Sequence, residues 1–235
     1  EFIVWNVGQG LWTTLVEQNK CYHFDSGGEF LNALQIRKAC YQKQNYLYLS
    51  HWDWDHIRFV SKLKRMMSNL CLEAAPEGSS QTYKEKIIRQ IPKCSEWQPD
   101  VQQIEFPHWN SNSFDVLSKN HKYRSLKVSQ TNELSNVFIA HEKFLIPGDS
   151  TKAMEKIWAP LIKNKNIEIL VLAHHGSKTA TSEDFLENAG HVHLAIASSR
   201  KKRYGHPHPE VIARLRAHRI PTLTTEDWGN IHILE

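Results

Sequence analysis

The sequence predicts a mixed α/β domain with a chemical site on the rim of a β-sheet, and three observations carry that prediction. Strand-like and helix-like stretches intermix along the chain, with no repeat at a fixed period. Three apolar runs, Tyr46-Leu47-Tyr48-Leu49, Phe144-Leu145-Ile146 and Ile169 to Ala173, lead directly into polar clusters: Ser50-His51-Trp52-Asp53-Trp54-Asp55-His56, Pro147-Gly148-Asp149 and His174-His175-Gly176-Ser177. A basic run, Arg200-Lys201-Lys202-Arg203, is followed at once by Tyr204-Gly205-His206-Pro207-His208-Pro209. Four potential metal ligands within six residues, behind a buried strand, are hard to explain as ordinary surface.

The elements follow in order. Phe2 to Val7 reads as a strand, Gly8-Gln9-Gly10 as a turn and Leu11 to Val16 as the returning strand. Cys21 to Phe24 is a third strand, ending at Asp25-Ser26-Gly27-Gly28. A helix is expected over Leu31 to Tyr41, and Tyr46 to Leu49 is the strand that feeds the ligand cluster. Ile57, Val60, Leu63 and Met67 recur at helical spacing, so a helix anchors the cluster from behind. Residues 68 to 113 are polar and broken by prolines, with a short helix at Lys84 to Ile91. Strands are then expected at Ser125 to Ser129, Val137 to His141 and Lys143 to Ile146, and a helix at Met154 to Ile162. Glu168 to Ala173 is almost wholly apolar, as in a strand buried on both faces. Thr181 to Asp184 fits an N-terminal cap for a helix through Leu186. His193 to Ser198 reads as a strand, Pro209 opens a helix to His218, and Thr222 to Leu234 reads as a terminal hairpin around Gly229.

At 235 residues with 40% hydrophobic and 23% charged residues, the chain suits one ordinary globular domain, residues 1–235, and not a disordered one. No apolar run reaches transmembrane length. The first residue is Glu1 rather than Met, which leaves open a removed signal or a preceding membrane domain. Cys21, Cys40, Cys71 and Cys94 form no C-x-x-C pair, so scattered thiols are expected, with two disulfides the alternative in an oxidising compartment. The net charge of +4 is modest; its concentration at Arg200 to Arg203 makes phosphate binding a rival to a plain solvated loop.

A divalent metal used for hydrolysis needs neutral imidazoles and ionised carboxylates. His51 and Asp53 fit one ion and Asp55 and His56 a second, with Asp149 as a bridge and His174 completing the set from a third strand end. Two ions roughly 3.5 to 4 Å apart activate water between them and stabilise both attacking and leaving oxygens of a phosphoryl displacement. His141, His191, His218 and His232 lack such a setting and are expected to be surface or hydrogen-bonded structural residues.

Taken together, these residues resemble the metallo-β-lactamase fold superfamily, and within it the nuclease-like C-terminal domain of ComEC-type DNA-uptake proteins. The likeness spans nearly the whole chain: Asn6-Val7-Gly8-Gln9-Gly10, Asp25-Ser26-Gly27-Gly28, the His-x-Asp-x-Asp-His run from His51 to His56, Pro147-Gly148-Asp149, His174-His175-Gly176-Ser177 and the His206 loop. The resemblance implies a four-layer αββα sandwich, a site along one edge of two facing sheets, and hydrolysis of DNA phosphodiesters during uptake. It also implies a membrane channel domain as partner and an extracytoplasmic or membrane-associated setting; outside such a protein the setting would be cytoplasmic. Asp53 stands where many superfamily members have His, a harder ligand that shifts preference from zinc towards manganese. The usual His ahead of the bridging Asp has His108 as its nearest counterpart in order, although a loop histidine is the simpler reading there. Arg58-Phe59 replaces a glycine pair that the family often has.

The resulting expectation is a hydrolase with two divalent ions, Zn or Mn, that cleaves DNA without marked sequence preference and uses no tightly bound small-molecule cofactor. Asp55 is the candidate to orient water or accept its proton. His175, Ser177, Lys178, Ser199, Lys201 and His206 are candidates to hold the phosphate backbone. His206 is also the candidate acid for the leaving oxygen, because an imidazole titrates near neutrality. Two alternatives stand beside this: a non-catalytic DNA-binding domain with a degenerate metal site, and a small-ester or thioester hydrolase, which the cationic run disfavours.

Overall fold

The computed structural model describes residues 1–80, 82–96, 98–105 and 131–234. Within these, two six-stranded sheets face each other. The first has the order β12-β1-β2-β3-β4-β5, built from β1 (Phe2–Val4), β2 (Thr13–Val16), β3 (Lys20–Phe24), β4 (Gln44–Tyr48), β5 (Leu70–Ala74) and β12 (Ile231–Ile233). The second has the order β11-β10-β9-β8-β7-β6, built from β6 (Val101–Gln103), β7 (Phe138–Ala140), β8 (Phe144–Ile146), β9 (Ile169–Val171), β10 (Leu194–Ala197) and β11 (Thr222–Thr224). Strands β3, β4 and β5 run parallel, as do β8 to β11, and the remaining pairs are antiparallel.

Period-two alternation along the strands divides the core into three layers of contact. Phe2, Val4, Tyr22, Phe24, Tyr48, Phe138, Phe144, Val171 and Ile196 face between the sheets. Phe2 stacks on Phe144 with ring centroids 4.2 Å apart, and Tyr48 meets Phe138 edge-on at 5.5 Å. Ile3, Trp5, Leu47 and Leu49 point the other way, onto Ile36, Ile57, Val60, Leu63 and Ile88 from the helices over the first sheet. Leu145, Leu170, Leu172, Ala195 and Ala197 do the same on the second sheet, against Met154, Trp158, Phe185, Val211 and Leu215. The result is a helix, sheet, sheet, helix sandwich. It matches the four layers expected, and it explains why the strand Glu168 to Ala173 is apolar on both faces.

Several expectations change. Thr222 to Leu234 is no hairpin: β11 joins the second sheet beside β10 and β12 joins the first beside β1, so the last strands close both sheets. A local turn signal at Gly229 could not reveal that split. The helix expected from Ile57 to Met67 is interrupted, with helical turns at Trp54–Ile57 and Val60–Met66, because Phe59 N–H leaves the helix to bond Ser26 O at 2.7 Å. The polar stretch after Met67 supplies two edge strands, β5 and β6, besides the helix Tyr83–Arg89. Ser125 to Ser129 and His108 lie outside the described residues.

The cysteines are not scattered thiols. Cys21 of β3 is bonded to Cys40 at the end of the helix Ala33–Cys40, and Cys71 of β5 to Cys94. The first crosslink ties β3 to the helix packed over the first sheet, and the second ties β5 to the segment that runs along its edge, where Lys93 bridges Leu72. A closed loop of this size constrains the unfolded chain by about 3 kcal/mol. Replacing Cys21 and Cys40 together by serine is expected to lower unfolding free energy by about that amount in urea titrations; an unchanged midpoint under oxidising conditions would contradict the bond.

Candidate metal centre

All three ligand-bearing runs end at one edge of the sandwich. The loop after β4 carries His51 to His56, the turn after β8 carries Asp149, and a single helical turn after β9, Ala173–Gly176, carries His174 and His175. Backbone contacts lock the first loop from below. Leu11 N–H bonds Asp55 O at 3.0 Å and Ser26 N–H bonds His56 O at 2.8 Å. Gly27 makes this approach possible, since a Cβ there would lie 1.8 Å from Asp55 O. His174 and His175 both adopt left-handed backbone angles, φ 49° and 56°, a costly conformation for non-glycine residues that turns both rings towards Asp149.

Asp149 sits at the centre, and its two carboxylate oxygens face different residues. Oδ1 lies 2.9 Å from His56 Nε2 and 3.6 Å from His175 Nε2. Oδ2 lies 3.8 Å from His51 Nε2 and 3.7 Å from His174 Nε2. Asp55 Oδ2 is 3.2 Å from His175 Nε2, and Asp53 Oδ2 is 3.6 Å from His51 Nε2 at the exposed rim. Ligand atoms of His51, His56 and Asp149 lie within 4.8 Å of one another, as do those of Asp55, His56 and His175.

The hydrogen bonds on the far sides of the rings orient this set. Asp25, almost fully buried, accepts from Ser50 N–H at 2.8 Å, Ser50 Oγ at 2.7 Å and His56 Nδ1 at 2.7 Å. With its hydroxyl proton committed to Asp25, Ser50 Oγ accepts from His51 Nδ1 at 2.9 Å. His175 Nδ1 donates to the Ser198 carbonyl at 3.0 Å. Each of these rings therefore carries its proton on Nδ1 and turns Nε2 into the cluster.

This arrangement fits a cation. His56 Nε2 and His175 Nε2 approach to 3.3 Å, and two neutral rings would oppose lone pairs there. Buried His51 Nε2 and Asp149 Oδ1 have no hydrogen bond of acceptable geometry, a cost that a bound ion removes. Electrostatics agree. Burial depresses the imidazoles of His56 and His175, but Asp149, with Asp25 and Asp55 respectively, outweighs it and raises both. Burial likewise opposes ionisation of Asp149 and Asp55, yet the surrounding histidines hold both carboxyls below the usual range. The cluster holds positive charge among ionised carboxylates, by proton or by metal.

The predicted phosphate-contacting residues divide. His175 belongs inside the cluster, with its ring in contact with Asp55 and His56 instead of the rim. Lys178 and Lys201 are exposed. Ser177 Oγ bonds Thr179 Oγ1 at 2.9 Å, and Ser199 is buried. His206 lies beside His174, with ring centroids 6.2 Å apart, and its Nδ1 is 3.2 Å from Gln9 Nε2. Burial, then His175 and His174, push His206 down to about 4, so it is neutral at pH 7 and poorly suited to act as an acid. Arg200 and Arg203 are paired with Glu29 at 3.0 and 2.7 Å. Among the other histidines, His141 pairs with Glu17, His218 with Glu183 and His232 with Glu1, while His191 is exposed.

Sequence reasoning gave no role to Asp25 or Glu29. Asp25 was marked by its place at the end of a buried strand and by the Asp25-Ser26-Gly27-Gly28 element of the resemblance, neither of which specified what it touches. Asp25→Ala is expected to weaken metal binding by roughly 10- to 100-fold, because it frees the His56 ring and its tautomer; competition with a chromophoric chelator measures it, and an unchanged affinity would remove Asp25 from this role.

No family model matches the chain. Among solved structures, the metallo-β-lactamase fold protein YhfI from Bacillus subtilis superposes with a TM-score of 0.52 at 11% identity, covering 95% of each chain. Among curated proteins, the chain is 27% identical to Recombination protein 2 of Haemophilus influenzae over 97% of its own length, and 27% identical to Competence protein ComA of Neisseria gonorrhoeae over 96%. ComE operon protein 3 of Bacillus subtilis is 27% identical over 86% of this chain. The chain spans 28%, 31% and 25% of the lengths of these relatives. It has the metallo-β-lactamase fold, and its sequence resembles one portion of competence proteins of the ComEC type.

Proposed function

We propose that this domain is a metal-dependent phosphodiesterase that hydrolyses DNA, working as part of a DNA-uptake protein. The observation that carries the reading is the Asp149 carboxylate, with one oxygen towards His51 and His174 and the other towards His56 and His175. That division fits two ions, Zn or Mn. One would be held by His51, Asp53, His174 and Asp149, the other by Asp55, His56, His175 and Asp149. When bound, such ions supply Lewis-acid activation of water and neutralise charge on the phosphoryl oxygens.

The chain's own groups do the rest. Asp55, partly exposed and kept ionised by His175, orients the attacking water. Lys178 and Lys201 present exposed ammonium groups to a phosphate backbone, which selects no sequence. Neutral His206 donates a hydrogen bond from Nε2, since Nδ1 is occupied by Gln9, and so contacts phosphate oxygen without protonating the leaving group. The pairing of Arg200 and Arg203 with Glu29 leaves a weaker cationic rim than the sequence implied.

Two disulfides suit an oxidising compartment, so the domain acts on DNA outside the cytoplasm, attached to a membrane channel. No helix among the described residues is long and apolar enough to cross a membrane.

Purified protein loaded with manganese or zinc is expected to cleave single- or double-stranded DNA of unrelated sequences, and Asp149→Ala to reduce cleavage to background with the fold retained by circular dichroism. Absence of cleavage at full occupancy by either metal overturns the nuclease reading. Salt-sensitive DNA binding together with less than one ion per chain would instead support the DNA-binding alternative.

A further inference from the structure

We infer a second divalent-cation site at the opposite end of the sandwich, made by Glu17, Asp100 and His141 and joining the two sheets. The strand directions set its place. β2 ends at Val16 and delivers Glu17 to the end of the first sheet away from the ligand loop. β7 ends at Ala140, and β8 then returns to Asp149, so the His141 turn lies at that same far end of the second sheet. The register Val101↔Ala140 brings Asp100 alongside, where its carbonyl accepts from His141 N–H at 2.8 Å.

Three sequence-distant turns thus contribute one imidazole and two carboxylates. His141 Nε2 lies 2.7 Å from Glu17 Oε1, and one ligand atom from each of the three residues falls within 4.8 Å of the others. Zinc binds such donors at about 2.0 to 2.2 Å, so the three side chains turn towards a common point and the His141–Glu17 pair opens to admit the ion. All three residues are partly exposed, beside an open hollow of about 460 Å³ lined by Pro99, Asp100, His141, Glu142 and Lys143, so an ion can enter. Tyr22 Oη donates to Asp100 Oδ2 at 3.0 Å and steadies that carboxylate from the first sheet. Among the described residues, two cations oppose the ion: Lys20, whose Nζ is 4.0 Å from the same oxygen, and Lys143, which lines the hollow.

Mixed imidazole and carboxylate donors suit zinc or manganese. Binding places the ion between His141 and Glu17 and links the ends of β2, β6 and β7 across the interface between sheets. The role is structural, because no residue of this cluster touches the Asp149 centre.

Zinc alone is the probe. His141→Gln is expected to lower the ions bound per chain by one, measured by elemental analysis after equilibrium dialysis, in both the parent chain and an Asp149→Ala chain. It is also expected to abolish part of the zinc-dependent rise in Tm while leaving DNA cleavage by the parent unchanged. Equal ion counts with and without His141 in both backgrounds overturn the site. Because the readout is metal uptake, the result is separate from the outcome of any nuclease assay.

Discussion

The buried Asp25 carboxylate is the constraint on which the functional edge depends. A nearly inaccessible charge must be satisfied by donors, and here the donors are Ser50 N–H, Ser50 Oγ and His56 Nδ1. One side chain at the end of β3 therefore fixes the start of the ligand loop, its last histidine and that histidine's tautomer. Through Ser50 it fixes His51 as well. The neighbouring glycine allows the backbone of Asp55 to press against the β3 end. Without this contact, the loop after β4 would present the same residues with no common target.

Opposed to it stands Asp149, delivered by the other sheet. The cluster forms only because the two sheets pack face to face with these strand ends on one side, so packing between Phe2, Phe144, Tyr48 and Phe138 contributes indirectly to its geometry. Two left-handed histidines in succession mark where backbone preference yields to chemistry. Raised His56 and His175 imidazoles beside ionised Asp149 and Asp55 describe a site whose carboxylates favour positive charge.

Much of this was legible in the sequence because apolar strands and their polar ends are local signals. Tyr46 to Leu49 and Ile169 to Ala173 announced both strand and ligand. What escaped required knowledge of the third dimension. Nothing local in Thr222 to Leu234 shows that its two strands enter different sheets, and nothing in four dispersed cysteines shows which approach each other. His174 and His175 are adjacent and chemically identical, so only the kinked backbone shows that His175, read as a phosphate contact, turns into the cluster beside Asp55. Glu29 neutralises Arg200 and Arg203 from a position 171 residues earlier than the first of them, which made the basic run look freer than it is.

The central claim is that Asp149 lies between two cation positions. Anomalous diffraction from crystals equilibrated with manganese or zinc, collected on both sides of the absorption edge, tests it most directly. Two peaks roughly 3.5 to 4 Å apart are expected to flank the Asp149 carboxylate, one beside His51 and His174 and the other beside His56 and His175. A single peak, or none at Asp149 under saturating metal, would contradict it.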